Sequence, residues 1–162
     1  MSTSPAYTKL LRKIRYTIVF FMIALALSGI TAFPLETELQ WVLSFRNHLP
    51  ESLVAFMTNV YEALHYTNLH YPMLAYGYDW LAFAHIVIAL FFIGPLRDPV
   101  KNIWVIEWGM LACVAVLPLA FIAGHVRGIP FYWKCIDCSF GIFGIVPLFL
   151  LRKWIKKLAV TS

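Results

Sequence analysis

The stretch Ile14–Phe33, IRYTIVFFMIALALSGITAF, decides how the rest of the chain is read. As a helix its 20 residues span about 30 Å, the thickness of a bilayer's hydrocarbon core. The apolar region of a secretion signal is shorter, about 7 to 15 residues. Although basic residues precede the stretch and Ala32 places a small residue near its end, its length reads as an uncleaved membrane anchor.

Working outward, the composition agrees. Of 162 residues, 61% are hydrophobic and 13% charged, where soluble domains carry about a quarter charged residues. Lipid offers no hydrogen bonds, so apolar runs must satisfy their own backbone as helices. Three further runs follow, giving spans at about 14–33, 76–96, 103–124 and 136–154. The expected fold is all-α: a polytopic four-transmembrane-helix bundle in up-down order, forming a single membrane domain over 1–162. Pro118 and Pro147 lie inside the third and fourth spans and are expected to kink them. Trp80, Trp104, Trp108, Trp133 and Trp154 fall near span ends, as an aromatic belt requires. Gly141 and Gly144 would let another helix backbone come close to the fourth span.

The net charge of +5 could suggest nucleic acid, but the basic residues form no basic-aromatic surface pattern. Ten of the 13 Lys and Arg flank spans: Lys9, Arg12, Lys13, Arg15, Arg97, Lys101, Arg152, Lys153, Lys156 and Lys157. Arg46, Arg127 and Lys134 are the others. By the positive-inside rule both termini and the middle hairpin are cytoplasmic, as in a multi-pass protein of a bacterial inner membrane. The segment 34–77 is then outside, and it is acidic, with Glu36, Glu38, Glu51 and Glu62 against Arg46. Apolar residues recur there at three- and four-residue steps on either side of Pro50, predicting two short amphipathic outer helices between spans 1 and 2. They would form either a packed crossover or a lid.

Ionisable side chains at membrane depth are costly, which singles out a few. Asp79 sits near the outer end of the second span. His85 lies deeper, among Leu81, Ala82, Ile88 and Ala89, as a core histidine, a ligand or a proton carrier. Glu107 and His125 are five helical turns apart and share a stripe with Leu111, Val114 and Pro118. Because lipid rejects a carboxylate, that stripe is expected to face the bundle, or Glu107 to sit at the interface near Arg97 or Lys101. His65 and His70 lack the helical spacing of a metal pair, so no metal site is expected. Cys135 and Cys138 form a C-x-x-C immediately before the fourth helix, a candidate redox pair on the outer side.

Three resemblances follow from these residues. The C-x-x-C and the helix count resemble the four-helix thiol oxidases typified by vitamin K epoxide reductase. That resemblance implies a quinone-linked oxidase acting through Cys135 and Cys138, but the family's second cysteine pair is missing, since the only other cysteine is Cys113. The layout of His85 and His125 is similar to small four-helix cytochromes b. It implies a b-type haem electron-transfer subunit using His85 with His125 or a loop histidine, although Arg15-Tyr16-Thr17 stands where those proteins carry a histidine. The stretches Tyr78–His85, Gly94–Pro99 and Asp137–Gly141 resemble a family of small bacterial four-helix membrane proteins, which implies the fold and no activity. The leading expectation is a subunit or scaffold without a catalytic site, embedded in the lipid bilayer and associated with a membrane-protein partner or with further copies of itself. Haem and thiol chemistry are the alternatives, followed by a proton-coupled carrier.

Overall fold

The computed structural model describes residues 5–161; residues 1–4 and 162, the chain ends assigned to the cytoplasm above, lie outside the described residues. Among the described residues there is no strand. The helices are α1 (Pro5–Ala32), α2 (Leu35–Ser44), α3 (Glu51–His70), α4 (Pro72–Phe91), α5 (Ile93–Arg97), α6 (Ile103–Val126) and α7 (Phe131–Thr161), with a 3-10 turn at Arg46–His48. Four are long and apolar enough to cross a membrane: Pro5–Ala32, Pro72–Arg97, Ile103–Val126 and Phe131–Val160.

The boundaries differ from the expected ones for local reasons. Helix α1 is already formed at Pro5, well before Ile14, because nothing between them breaks the helical pattern. Helix α7 likewise runs past Trp154, carrying Ile155 and Leu158 into the core. The second of the two amphipathic helices expected between spans 1 and 2 is not short. With no Gly or Pro between Glu51 and Tyr71, α3 runs for 20 residues and stops where Pro72 forces Tyr71 out of helical geometry. Helices α6 and α7 continue unbroken through Pro118 and Pro147. A four-residue link joins them. Gly128, at φ 65°, donates to the His125 carbonyl and Ile129 donates to that of Gly124, the paired bonds of a Schellman ending.

The helices group into two compact units, Met1–Met22 with Phe91–Ser162, and Ile23–Leu90. In the first, Ile14 and Ile18 of α1, Phe92, Val105 and Ile106, and Leu148, Leu151, Ile155 and Leu158 of α7 are buried. Lys13 lies over the Trp154 ring at 4.0 Å, Arg15 reaches the Arg97 carbonyl at 3.5 Å, and Arg152 Nε donates to Glu107 at 2.7 Å. These contacts join the start of α1, the end of α5, the start of α6 and the end of α7. The ten span-flanking basic residues therefore belong to segments that meet at one end of this unit. In the second unit the buried apolar residues are Leu39, Met57, Ala75, Ala82 and Ala89. Bulk is small there, so backbones can come close.

Glycine marks the closest approaches. A Cβ on Gly141 would lie 2.5 Å from the Cys113 carbonyl oxygen, and one on Gly144 would lie 3.0 Å from the Cys113 sulfur. This is the close packing expected of the two glycines, and the neighbour is α6. In the other unit, a Cβ on Gly29 would lie 2.6 Å from the Ala82 carbonyl oxygen. Backbone cannot swing aside as a side chain can. Gly141→Ala should therefore cost about 1 to 3 kcal/mol, the usual penalty of overpacking. Gly77→Ala, whose Cβ would meet nothing within 4 Å, should be neutral or slightly stabilising. Denaturant unfolding of both variants in detergent checks this, and equal midpoints would contradict it.

Candidate functional site

A connected set of polar side chains lies in the Ile23–Leu90 unit, on residues outside the candidate spans and at the start of α4. Glu36, in the first turn of α2, accepts from His65 Nδ1–H at 2.5 Å on one oxygen and from the Asn68 amide on the other. The Tyr78 hydroxyl donates to the Asn68 carbonyl oxygen. His65 and Asn68 are three residues apart on α3, so both face one neighbour. The break at Tyr71-Pro72 turns the chain so that α4 returns Tyr78 to the same place. The hydrogen bond from His65, and then that from Asn68, hold the Glu36 carboxyl below its ordinary value of 4.5. This chain of bonds ties α2, α3 and α4 together. It also orients His65 with its Nε2 nitrogen left over, as a carboxylate does for a base.

His85 is half-buried on α4, and its Nδ1–H donates to the Leu81 carbonyl one turn back at 2.8 Å. That bond leaves Nε2 as the nitrogen with a lone pair, the arrangement of a ligating imidazole. Asp79 is half-buried, and among the described residues it makes no hydrogen bond or ion pair. It lines a cleft of about 290 Å³ with Phe33, Tyr76, Trp80 and Phe83. His125 is exposed at the end of α6, in the other unit from His85.

The Glu107 stripe corrects the expectation drawn from a single helix. Glu107, Leu111, Val114, Pro118, Phe121, Ile122 and His125 are all exposed, and α6 buries Val105, Ile106 and Gly124 instead. The carboxylate is neutralised by Arg152 of α7, not by Arg97 or Lys101, so it has no need of the interior. Lys101 pairs with Asp98 at 3.7 Å. The C-x-x-C lies within α7 rather than before it, because Pro130 starts the helix early. Cys135 is exposed there and Cys138 buried.

His65 and His70 diverge: one bonds Glu36, while the other donates to the Tyr66 carbonyl at 3.0 Å. Among the described residues no three His, Cys, Asp or Glu side chains converge as a metal site. These features define a helical chain with four helices able to cross a membrane, a hydrogen-bonded carboxylate and an aromatic cleft. No family model matches the chain, and neither does any curated protein or solved structure.

Because Glu36 titrates below its ordinary value in the folded chain, its charged form is favoured by folding. The contribution is complete above pH 4.5 and is lost as pH falls through the lowered native value. Glu36→Gln supplies one oxygen for two donors and turns an amide toward the second. At neutral pH the variant should exchange the amide hydrogens of Leu35–Ser44 several-fold faster than wild type. The two should converge only as pH falls through the lowered native value at which the wild-type carboxyl takes up its proton. A constant difference across that range would contradict the assignment.

Proposed function

We propose that the chain is a multi-pass protein of a bacterial inner membrane, with both ends cytoplasmic, that serves as a non-catalytic subunit or scaffold of a larger membrane assembly. The observation that carries this is the outward stripe of α6. It is apolar along its length, and an ionisable group stands at each end, Glu107 paired to Arg152 and His125 exposed. Only 11% of the most apolar window of α6 is buried by the chain itself. Lipid suits the middle of such a stripe, whereas a protein neighbour also suits the exposed His125 at its end. A reporter active only in the cytoplasm, fused at the C-terminus, should be active in cells. After mild solubilisation the protein should migrate as more than one 18.6 kDa chain with its detergent. Val114→Trp on the stripe should shift most of the population to the single chain. A wild-type protein already running as a single chain would refute the subunit reading.

The orientation of His85 favours a second reading, a b-type haem electron-transfer subunit in which Nε2 is an axial ligand. The dithionite-reduced protein, expressed with added haem precursor, would then show sharp visible bands. His85→Leu would abolish them and His48→Leu would leave them intact. A featureless wild-type spectrum removes this reading and leaves the first standing.

A further inference from the structure

Four of the five residues lining the Asp79 cleft occupy one stripe of α4. Tyr76, Asp79, Trp80 and Phe83 stand at steps of three and four residues, so all project to one side. The rings are ordered against one another. Tyr76 meets Trp80 edge-on at 5.9 Å between centroids, and Trp80 meets Phe83 edge-on at 6.2 Å. The fifth residue, Phe33, follows α1. It lies one turn beyond Gly29, where the α1 backbone comes up against Ala82 on α4. The close crossing therefore supports the wall that Phe33 contributes.

Charge gives the cleft its sign. Asp79 is half-buried and, among the described residues, without an ion pair or hydrogen bond. The unit that holds it, Ile23–Leu90, contains one Lys or Arg, Arg46, against Glu36, Glu38, Glu51, Glu62 and Asp79. Asp79 also falls within a candidate span, where a carboxylate needs a counter-charge or water. Aromatic faces carry the negative side of a quadrupole and attract cations. An anion would be repelled by the Asp79 carboxylate and the ring faces, with one phenol O–H and one indole N–H to set against them. A sugar would stack on the rings but find one carboxylate, one phenol and one indole N–H to satisfy its hydroxyls. A small metal ion would find a single acidic ligand. An alkylated ammonium needs what is present: one opposite charge and several π faces.

We propose that this cleft binds an organic ammonium group, with Asp79 as counter-ion and Tyr76, Trp80, Phe83 and Phe33 as its aromatic walls. At about 290 Å³ it suits a head group rather than a large ligand. The group could arrive on the zwitterionic head of a lipid or as a free amine. The site is independent of the subunit reading, since it uses neither the α6 stripe nor any partner.

The test uses the full chain purified in detergent. Tetramethylammonium chloride is titrated by calorimetry against sodium chloride at equal ionic strength, with neutral 3,3-dimethylbutanol as a shape control. In parallel, native mass spectrometry follows which lipid is retained from an equal mixture of phosphatidylethanolamine, phosphatidylcholine and phosphatidylglycerol. Saturable tetramethylammonium binding supports a free amine as the source; preferential retention of a zwitterionic lipid supports a head group. In either case Asp79→Asn and Trp80→Leu should weaken binding by about tenfold or more, as expected when a partly desolvated charge or a cation–π wall is removed. Helical circular dichroism and elution volume establish that each variant is folded. Asp79→Asn keeps the side chain's shape, so it separates loss of charge from loss of structure. The proposal is overturned if the neutral alcohol binds as well as the cation, if Asp79→Asn binds unchanged, or if neither the cation nor a zwitterionic lipid is preferred.

Discussion

Direct contact between helix backbones, made where a side chain is missing, is the constraint on which the two units depend. At Gly141 the α7 backbone meets the Cys113 carbonyl of α6, and at Gly29 the α1 backbone meets the Ala82 carbonyl of α4. In lipid the hydrophobic effect does not drive helices together, because the tails are as apolar as leucine. What remains is close van der Waals packing, which small residues permit. The short roll of buried large side chains in the Ile23–Leu90 unit, Leu39 and Met57, fits this. Its helices are held by approach, and its polar residues add direction.

Polar residues are spent unevenly along the chain. In the unit that gathers the basic segments, each buried position is apolar, and the charges sit around it: Lys13 on an indole, Glu107 with Arg152, Asp98 with Lys101. The other unit is acidic and joins α2, α3 and α4 through Glu36, His65, Asn68 and Tyr78. Hydrogen bonds to a charged acceptor are stronger than neutral ones, and both oxygens of Glu36 are occupied. Helices α2 and α3, which lack a deep apolar core of their own, are thus positioned by a carboxylate.

Sequence reading reached the parts governed by local rules. The four long apolar helices follow from run length, and the close approach at Gly141 and Gly144 from spacing alone. The length of α3 was missed, because its apolar recurrence fades after Leu64 while nothing breaks the helix before Tyr71-Pro72. The Glu36 group was missed because its donors lie 29 and 32 residues away, a separation at which no periodic signal survives. The pairing of His65 and Asn68 three residues apart, opposite an acidic first turn in α2, was the available clue. The face of α6 was misjudged for a related reason. A carboxylate's tolerance for exposure depends on whether another helix brings an arginine, and the geometry of one helix says nothing of its neighbour.

The pairing of Glu107 with Arg152 has a consequence in time as well as space. The two residues lie 45 positions apart, so a ribosome completes α6 well before it makes the residue that balances Glu107. The tight ending at Gly128 then turns the emerging chain straight back into α7. The smallest piece of the chain in which Glu107 has its partner is therefore the α6–α7 hairpin, not either helix alone.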